Sequence, residues 1–269
     1  TQLYDTCIIG GGLAGLALSI QLAKHGYKVA LFEKETFPFH KVCGEYISLE
    51  SWNFIQKLGY PLSDAGLPII KKLLVSAPNG NQLQQSLPLG GFGISRYKLD
   101  NDLKEMATSN NVHVFENCKV NAVDFNNEIF QLQTTAGQFN CRICCGSFGK
   151  RSNLDVKWNR SFIKRKPNKL DNFIAVKYHI NINHPHDTIA LHNFKDGYCG
   201  ISKIEDDKYC LCYLTNAQNL KKCNNSIQQM EKEILYKNPH HKKIFTGCRF
   251  LYQSPVTISQ ISFNKKSQV

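Results

Sequence analysis

The sequence has no long apolar run, only two tryptophans and two methionines, and fewer acidic than basic residues. No run approaches the roughly 18 apolar residues of a membrane-spanning helix, so none is expected. A polar start followed at once by an apolar strand argues against a signal peptide. Eleven cysteines, an odd number, are scattered through apolar segments. This usage favours reduced thiols in a cytoplasmic protein over a disulfide framework.

The shortage of acidic residues leaves a formal net charge of +12 over 269 residues. The basic residues form short groups that do not alternate with aromatics as in a single-strand nucleic-acid groove, so no nucleic-acid partner is expected. A solvated basic surface is the simplest interpretation. The alternatives are attraction to an anionic or carrier-bound substrate, or peripheral contact with an acidic membrane surface.

The N-terminal segment carries the most informative pattern that is present. Apolar residues 7–9 predict a buried strand that runs into Gly10-x-Gly12-x-x-Gly15 and then into a helical pattern. In a dinucleotide site the first glycine permits a tight turn, the second lets a pyrophosphate approach, and the third lets the helix pack closely. The N-terminus of this predicted helix offers N–H groups to phosphates, and Leu13 and Ala14, between the glycines, are candidate cofactor-binding residues.

A second predicted strand over 28–32 ends at Glu33, which is placed to accept hydrogen bonds from ribose hydroxyls. An acid at this position favours an unphosphorylated ribose, but it does not separate NAD from FAD. The alternative is an ordinary strand-to-helix turn with Glu33 on a solvated edge.

Periodicity and turn residues predict the remaining elements. Helices are expected over 48–58, 98–109, 225–236 and 239–245, a hairpin over 73–87, and strands near 112–115, 118–125, 128–134, 138–145, 172–182, 188–193, 198–204, 208–215 and 248–258. Residues 167–171 are predicted to form a boundary.

Two further segments are not structural necessities. One is Lys41-Val42-Cys43-Gly44-Glu45, and the other is the Gly-Phe-Gly-Ile-Ser-Arg run that ends at Arg96. Together with Glu33, they resemble the FAD-dependent geranylgeranyl reductase group of the p-hydroxybenzoate hydroxylase-like flavoprotein superfamily. Residues 145–152 are similar to its Gly-Ala-Asp-Gly-x-x-Ser segment. The resemblance covers nearly the whole chain, and the first half carries its specific motifs.

The resemblance implies an α/β fold with two interleaved domains. A three-layer, Rossmann-like FAD-binding domain would span 1–70 and 92–166, and an antiparallel β-rich substrate domain would span 71–91 and 167–269. The implied cofactor is FAD, the implied electron donor NAD(P)H, and the implied substrate a hydrophobic small molecule. A Gly-Asp segment normally follows the substrate domain, and none is present here. We therefore expect a fragment that lacks the C-terminal FAD-binding segment.

The resemblance also implies roles for individual residues. Cys43 would lie beside the isoalloxazine as a catalytic residue, and Arg96 would reach the FAD from the start of a helix. Tyr198, the second catalytic candidate, stands where the group has a Tyr-x-Trp-x-x-Pro substrate wall, of which only the tyrosine remains. The other cofactor-binding candidates are Lys34, Lys41, Val42, Val120, Gly146 and Gly149.

Simpler interpretations stay open for several of these residues. Cys43 fits as a small apolar filler, Tyr198 as an ordinary strand aromatic, and His40 as an exposed loop residue. The Cys141-x-x-Cys144-Cys145 run reads as one strand in which Cys141 and Cys145 share a face and Cys144 points away, so no metal site is expected.

The leading prediction is an FAD-dependent oxidoreductase that reduces alkene bonds of a prenyl- or polyene-like substrate. One alternative is an FAD-dependent monooxygenase that hydroxylates or epoxidises an aromatic or polyketide-like substrate; a further one is a non-catalytic nucleotide-binding fragment. Phe148 stands where hydroxylases carry an aspartate, which weakens a hydroxylase role. A flavin halogenase is disfavoured because the Trp-x-Trp-x-Ile-Pro motif is absent, the only tryptophans being Trp52 and Trp158.

Overall fold

Two β-sheets organise the chain in the computed structural model, which describes residues 2–150, 152–163, 172–261 and 263. The first half contains, in chain order, β1 (Leu3–Ile9), α1 (Leu13–Lys24), β2 (Val29–Phe32), β3 (Tyr46–Ser48), α2 (Trp52–Lys57), β4 (Ile69–Ser76), β5 (Gln82–Gly93), α3 (Arg96–Ser109), β6 (His113–Phe115), β7 (Val120–Asn126), β8 (Ile129–Thr134) and β9 (Gly137–Gly146). The second half contains α4 (Asn153–Lys157), β10 (Phe173–Asn181), β11 (Thr188–Phe194), β12 (Gly197–Lys203), β13 (Tyr209–Asn216), α5 (Ala217–Lys222), α6 (Ile227–Glu233), α7 (Pro239–Gly247), β14 (Arg249–Phe250) and β15 (Val256–Ile261).

Sheet A is Rossmann-like. Its strand order is β6-β2-β1-β9-β8-β7, with β1 parallel to both β2 and β9, and with β7, β8 and β9 in an antiparallel meander. Because β1 and β2 are buried on both faces, they read as short continuous apolar runs. The helices α1 and α3 pack on one face around Ile8, Leu16, Leu31 and Leu103.

Sheet B is largely antiparallel, in the order β14-β10-β13-β12-β11-β4-β5-β3, and β15 also pairs with β10. Alternate residues of β10, β12 and β13 face the helices α5 to α7 and form an apolar core. Its largest members include Tyr178, Leu211, Tyr213, Met230 and Phe245. The opposite face of these strands lines the groove described below. The predicted α/β fold class is confirmed, while the domain boundaries stay a prediction, since the 167–171 boundary lies outside the described residues.

Several elements differ from the sequence prediction. The helix predicted over 48–58 begins as a 3₁₀ turn over 49–51, with the Ser48 hydroxyl accepting the Glu50 N–H, and becomes α-helical only at Trp52. The strand predicted over 248–258 is two strands, β14 and β15. The short elements β3, α4 and α5 were not predicted, because three to six residues carry too little periodicity. No helix in the described ranges is both long and apolar enough to cross a bilayer.

The predicted arrangement of the β9 cysteines is wrong. Cys141 and Cys144 pack with Cys7 on one face of sheet A, and Cys145 packs on the other face beside the core of α1 and α3. The two residues between Cys141 and Cys144 are both exposed, so the strand does not alternate strictly there. This local irregularity brings Cys144 to the face that alternation assigns to Cys145.

A buried histidine cluster links the β4–β5 hairpin to α7. His192 Nδ1 lies 2.8 Å from Ser76 Oγ, and Asn238 donates to the same hydroxyl at 2.9 Å. The His192 ring stacks on His240 at 4.8 Å and meets His241 edge-on at 5.6 Å. Burial lowers the pKa of His192 to about 3 and that of His241 to about 4, so both rings are neutral in the fold at neutral pH.

This cluster predicts that the protein loses stability in mild acid. Below pH 6.5 the unfolded chain binds protons at His192 and His241 that the folded chain excludes. Their contribution is therefore complete above pH 6.5 and is lost as the pH falls towards 4. We expect the free energy of unfolding, measured in urea, to drop by about 4 kcal/mol between pH 7 and pH 5, with about 2 kcal/mol from each of the two histidines. His192→Gln should flatten this dependence and the exposed control His25→Gln should not; an equal slope in both variants would contradict the assignment.

Candidate functional site

A groove of about 1660 Å³ runs between the carboxyl ends of β1 and β2 and the face of sheet B opposite α5 to α7. This is the edge at which open α/β sheets bind ligands. On the sheet A side its lining includes Gly10, Gly12, Glu33, Cys43, Arg96 and Ser147, and on the sheet B side Ala175, Ile189, Leu191, Tyr198, Gly200, Cys212 and Leu214.

The glycines of the β1–α1 turn differ in what surrounds them. Gly10 has φ +108, and a β-carbon there would lie 2.6 Å from the Ser147 carbonyl oxygen. A β-carbon at Gly15 would lie 2.1 Å from the Gly10 carbonyl oxygen, so the helix packs against the turn only without a side chain. A β-carbon at Gly12 would meet nothing within 4 Å and would extend into open space at the groove. The turn thus has the shape that a diphosphate requires.

Glu33 lies against this turn rather than on a solvated edge. Its side chain accepts the N–H of Gly11 at 2.8 Å and that of Glu35 at 3.1 Å, and the residue is only 7% exposed. The solvated-edge interpretation is therefore wrong. The carboxylate stands beside the glycine turn and within the groove lining, where a ribose hydroxyl could share it.

The other predicted cofactor-binding residues divide into three groups. Most line the groove: Lys34, Lys41, Val42, Cys43, Arg96, Val120 and Gly149. Leu13 and Ala14 open α1 behind Gly12, and no side chain caps that helix. Gly146 borders a second cavity of about 500 Å³, which shares Phe148 with the groove lining. Their contact with a cofactor stays a prediction.

Arg96 is the first residue of α3, which Ser95 caps. Its Nε and Nη2 atoms donate to Asp100 at 2.7 and 2.9 Å, and Lys41 Nζ lies 2.7 Å from the same carboxylate. Burial alone lowers the pKa of Arg96, but Asp100 outweighs burial and the pKa is raised. Cys43 makes a smaller contribution to the raised pKa of Arg96. Two cations therefore share one buried carboxylate beside the groove.

The Cys-Gly-Glu segment contains a fully buried carboxylate. Glu45 has φ 55, and its Oε1 accepts from Lys177 Nζ at 2.7 Å and from the Arg96 backbone N–H at 3.0 Å. His179 Nε2 donates to Oε2 at 2.6 Å. Burial raises the pKa of Glu45, but the His179 hydrogen bond and the Lys177 charge together outweigh it, so the pKa is lowered.

Sequence reasoning missed Lys177 and His179. Both belong to the run Phe173–Asn181, in which strand alternation places Lys177 and His179 on one face. Two polar residues on one face of an otherwise apolar strand were the available signal. Their shared partner, Glu45, lies more than 130 residues away, so the sequence did not show what they bind.

The expectation that His40 is an exposed loop residue is wrong. The residue is half-buried in the groove wall, with its ring stacked on Tyr97 at 4.5 Å and edge-on to His179 at 5.1 Å. Burial lowers the pKa of His40 to about 4, with Lys177 adding to the effect. It is thus a neutral ring at neutral pH and supplies no charge to the groove.

The sheet B face of the groove is mainly apolar. Alternate residues of β10 to β13 point into it, and the set includes Ala175, Ile189, Leu191, Gly200, Cys212 and Leu214. Tyr198, on β12, is 43% exposed and lines the same space, so it is not an ordinary buried strand aromatic. Such a surface suits an apolar molecule better than a charged one.

Among the described residues, ligand atoms of Glu45, His179 and Cys210 lie within 4.8 Å of one another. The Lys177 ammonium already contacts Glu45 Oε1, and the Cys210 thiol donates to the Cys43 carbonyl at 3.3 Å. A cation would have to displace a buried ammonium, so we assign no metal to this cluster.

Comparison with known proteins agrees with this geometry. A profile of the NAD(P)-binding Rossmann-like domain matches residues 8–41. A curated protein, conditioned medium factor receptor 1 of Dictyostelium discoideum, is 38% identical over 58 residues, which are 22% of this chain and 11% of that protein. The chain spans less than half the length of the curated relatives it matches.

Solved structures resemble nearly the whole chain. A flavoprotein/dehydrogenase from Cytophaga hutchinsonii superposes with a TM-score of 0.79 at 16% identity, covering 95% of this chain and 66% of that one. The halogenase PltM, in complex with phloroglucinol and FAD, gives 0.76 at 16% identity, covering 97% and 60%. The fold is that of FAD-dependent flavoproteins. At these identities the likeness establishes the fold and leaves the activity open.

Proposed function

We propose that the chain is part of an FAD-dependent oxidoreductase that reduces alkene bonds of a hydrophobic, prenyl- or polyene-like substrate. One observation carries the proposal: a single groove joins the glycine turn and Glu33 to Cys43, Tyr198 and an apolar sheet face. The first part fits an adenine dinucleotide, and the second fits an apolar substrate next to a thiol.

Some residues of the groove would hold the cofactor, and others would hold the substrate. Gly12 and the N-terminus of α1 would receive the diphosphate, Glu33 the ribose, and Arg96 a part of the FAD nearer the flavin. When bound, FAD would supply hydride to one carbon of an alkene, and NAD(P)H is the donor we propose for reducing it. Cys43, or a water near it, would deliver the proton to the second carbon. The apolar face of sheet B would exclude water from the alkene.

Replacing Cys43 tests this assignment. Cys43→Ala should lower the rate at which an isoprenoid alkene reoxidises the reduced flavin by about tenfold or more, because a positioned proton donor is lost. Flavin affinity should change little, since the glycine turn is untouched. The measurement is anaerobic stopped-flow absorbance of the flavin, with Cys248→Ala, at the end of α7, as the matched control.

The outcome also separates the proposal from its main competitor. Wild-type protein that no isoprenoid reoxidises without oxygen would contradict alkene reduction. Oxygen-dependent formation of a hydroxylated or epoxidised product would instead favour a monooxygenase. That second candidate is supported by the flavin-dependent halogenases among the structural neighbours. A purified chain that binds no flavin under any condition would favour a non-catalytic fragment.

A further inference from the structure

The apolar face of sheet B continues beyond the groove onto the hairpin that β4 and β5 form. In the parallel pairing of β11 with β4, Ile189 lies beside Leu73 and Leu191 lies beside Val75. Ile189 and Leu191 line the groove, and paired residues of neighbouring strands share a face of the sheet. Leu74, between them, packs instead against the core beneath the helices. Leu73 and Val75 therefore face the same side as the groove.

This part of the face borders a cavity of its own, of about 520 Å³. The lining combines Leu73, Val75, Ala77 and Leu83 with four neutral amide side chains. Within the described residues it includes no ionisable side chain. A charged group would lose hydration here without gaining a counter-charge, so the cavity suits an uncharged apolar group.

The hairpin is fixed from the helix side of the sheet. Asn238, which caps α7, donates to the Ala77 carbonyl at 3.1 Å, and His240 Nε2 lies 2.9 Å from the Gly80 carbonyl oxygen. Leu83, on the groove side, is nevertheless 67% exposed, more than any other large apolar side chain of the described residues. A preformed apolar surface that is left open indicates a ligand site rather than an unfinished core.

The hairpin cavity adjoins the groove across a single strand boundary. Asn193, which lines the hairpin cavity, pairs with Tyr198, which lines the groove. Beyond β11 the hairpin adds two strands, which extend the apolar face by about 10 Å, the length of about two extended isoprene units. A linear chain that lies across the strands, with one alkene beside Cys43, would place its far end over Val75 and Leu83.

We propose that the hairpin face, formed by Leu73, Val75, Ala77 and Leu83, binds the distal, uncharged end of a long linear isoprenoid chain. This face then selects for chain length, because a short isoprenoid ends within the groove and does not reach β4 or β5. The absence of ionisable groups from the lining places any charged head group of the substrate elsewhere. The inference rests on the proposed function for the class of the chain and for the position of the reacting alkene.

Binding of two isoprenoid alcohols, one of ten and one of twenty carbons, tests the proposal. Dissociation constants are measured by equilibrium dialysis with oxidised FAD present, so that no turnover occurs. Leu83→Gln should weaken binding of the longer alcohol about threefold to tenfold, because an apolar contact is replaced by an amide. Binding of the shorter alcohol should stay within about twofold of wild type. Leu89→Gln, at an exposed position of β5 outside both cavities, is the matched control and should change neither value.

Val75→Thr is a second variant that keeps the shape of the side chain and adds a hydroxyl, and it should act in the same direction. The proposal would be overturned if both variants left the two alcohols unaffected, if they weakened both alcohols equally, or if the folded chain did not bind the longer alcohol. A dimer that Leu83→Gln dissociates in sedimentation would assign the hairpin face to a second copy instead.

The dialysis experiment separates this inference from the proposed function. If no isoprenoid reoxidises the flavin but Leu83→Gln still weakens only the longer alcohol, alkene reduction is wrong and the hairpin site stands. If isoprenoids reoxidise the flavin and Leu83→Gln shows no dependence on chain length, the reductase stands and the hairpin site is wrong.

Discussion

Gly12→Val is expected to weaken FAD binding at least about 100-fold, which corresponds to about 2.7 kcal/mol. The free energy of unfolding should stay within about 1 kcal/mol of wild type. The β-carbon of the new side chain has no protein atom within 4 Å, and the backbone φ of −82 suits any residue. It would instead occupy the space in front of α1 where a diphosphate would lie. Flavin fluorescence titration and urea unfolding measure the two quantities.

Two other glycine-to-valine variants serve as comparisons for this result. Gly247→Val, at the last residue of α7, also meets open space but lies outside the groove lining, so both quantities should stay near wild type. Gly15→Val should lose both, because its β-carbon collides with the Gly10 carbonyl. If Gly12→Val bound FAD as tightly as Gly247→Val, the diphosphate would not lie at this turn.

Asp100→Asn is expected to destabilise the fold by about 3–5 kcal/mol. The carboxylate is 1% exposed and forms salt bridges with both Arg96 and Lys41. Its loss therefore leaves two neighbouring cations without this counter-charge. Adding Lys41→Met to this variant should recover part of the loss. The exposed Asp124→Asn serves as the control in the same urea unfolding experiment. A change below 1 kcal/mol in Asp100→Asn would mean that the two cations are solvated rather than held together.

The sequence was sufficient for the β1–α1–β2 unit because its signals are local. The spacing of Gly10, Gly12 and Gly15, the apolar strands and the terminal Glu33 all lie within about 25 residues. Cys43 and Arg96 were found through resemblance to a flavoprotein group, and the structure places both in the groove lining. Contact with the cofactor remains a prediction for all of them.

The other features of the site and the sheets could not be predicted, because they depend on contacts between residues far apart in the sequence or on local backbone geometry. Lys177 and His179 both contact the carboxylate of Glu45, which lies more than 130 residues earlier. His40 is half-buried because rings from Tyr97, His179 and Tyr252 surround it. The face occupied by Cys144 follows from a local break in strand alternation that the residue types do not reveal.

Equilibrium titration of the chain with FAD, monitored by flavin fluorescence and competed with ADP, decides whether the β1–α1 turn and Glu33 bind an adenine dinucleotide. We predict saturable binding that ADP displaces, that Glu33→Ala weakens and that Gly12→Val abolishes. If ADP did not displace FAD and Gly12→Val did not weaken FAD binding, the assignment of a dinucleotide site to this turn would be contradicted. The same would follow if the folded chain bound neither ligand.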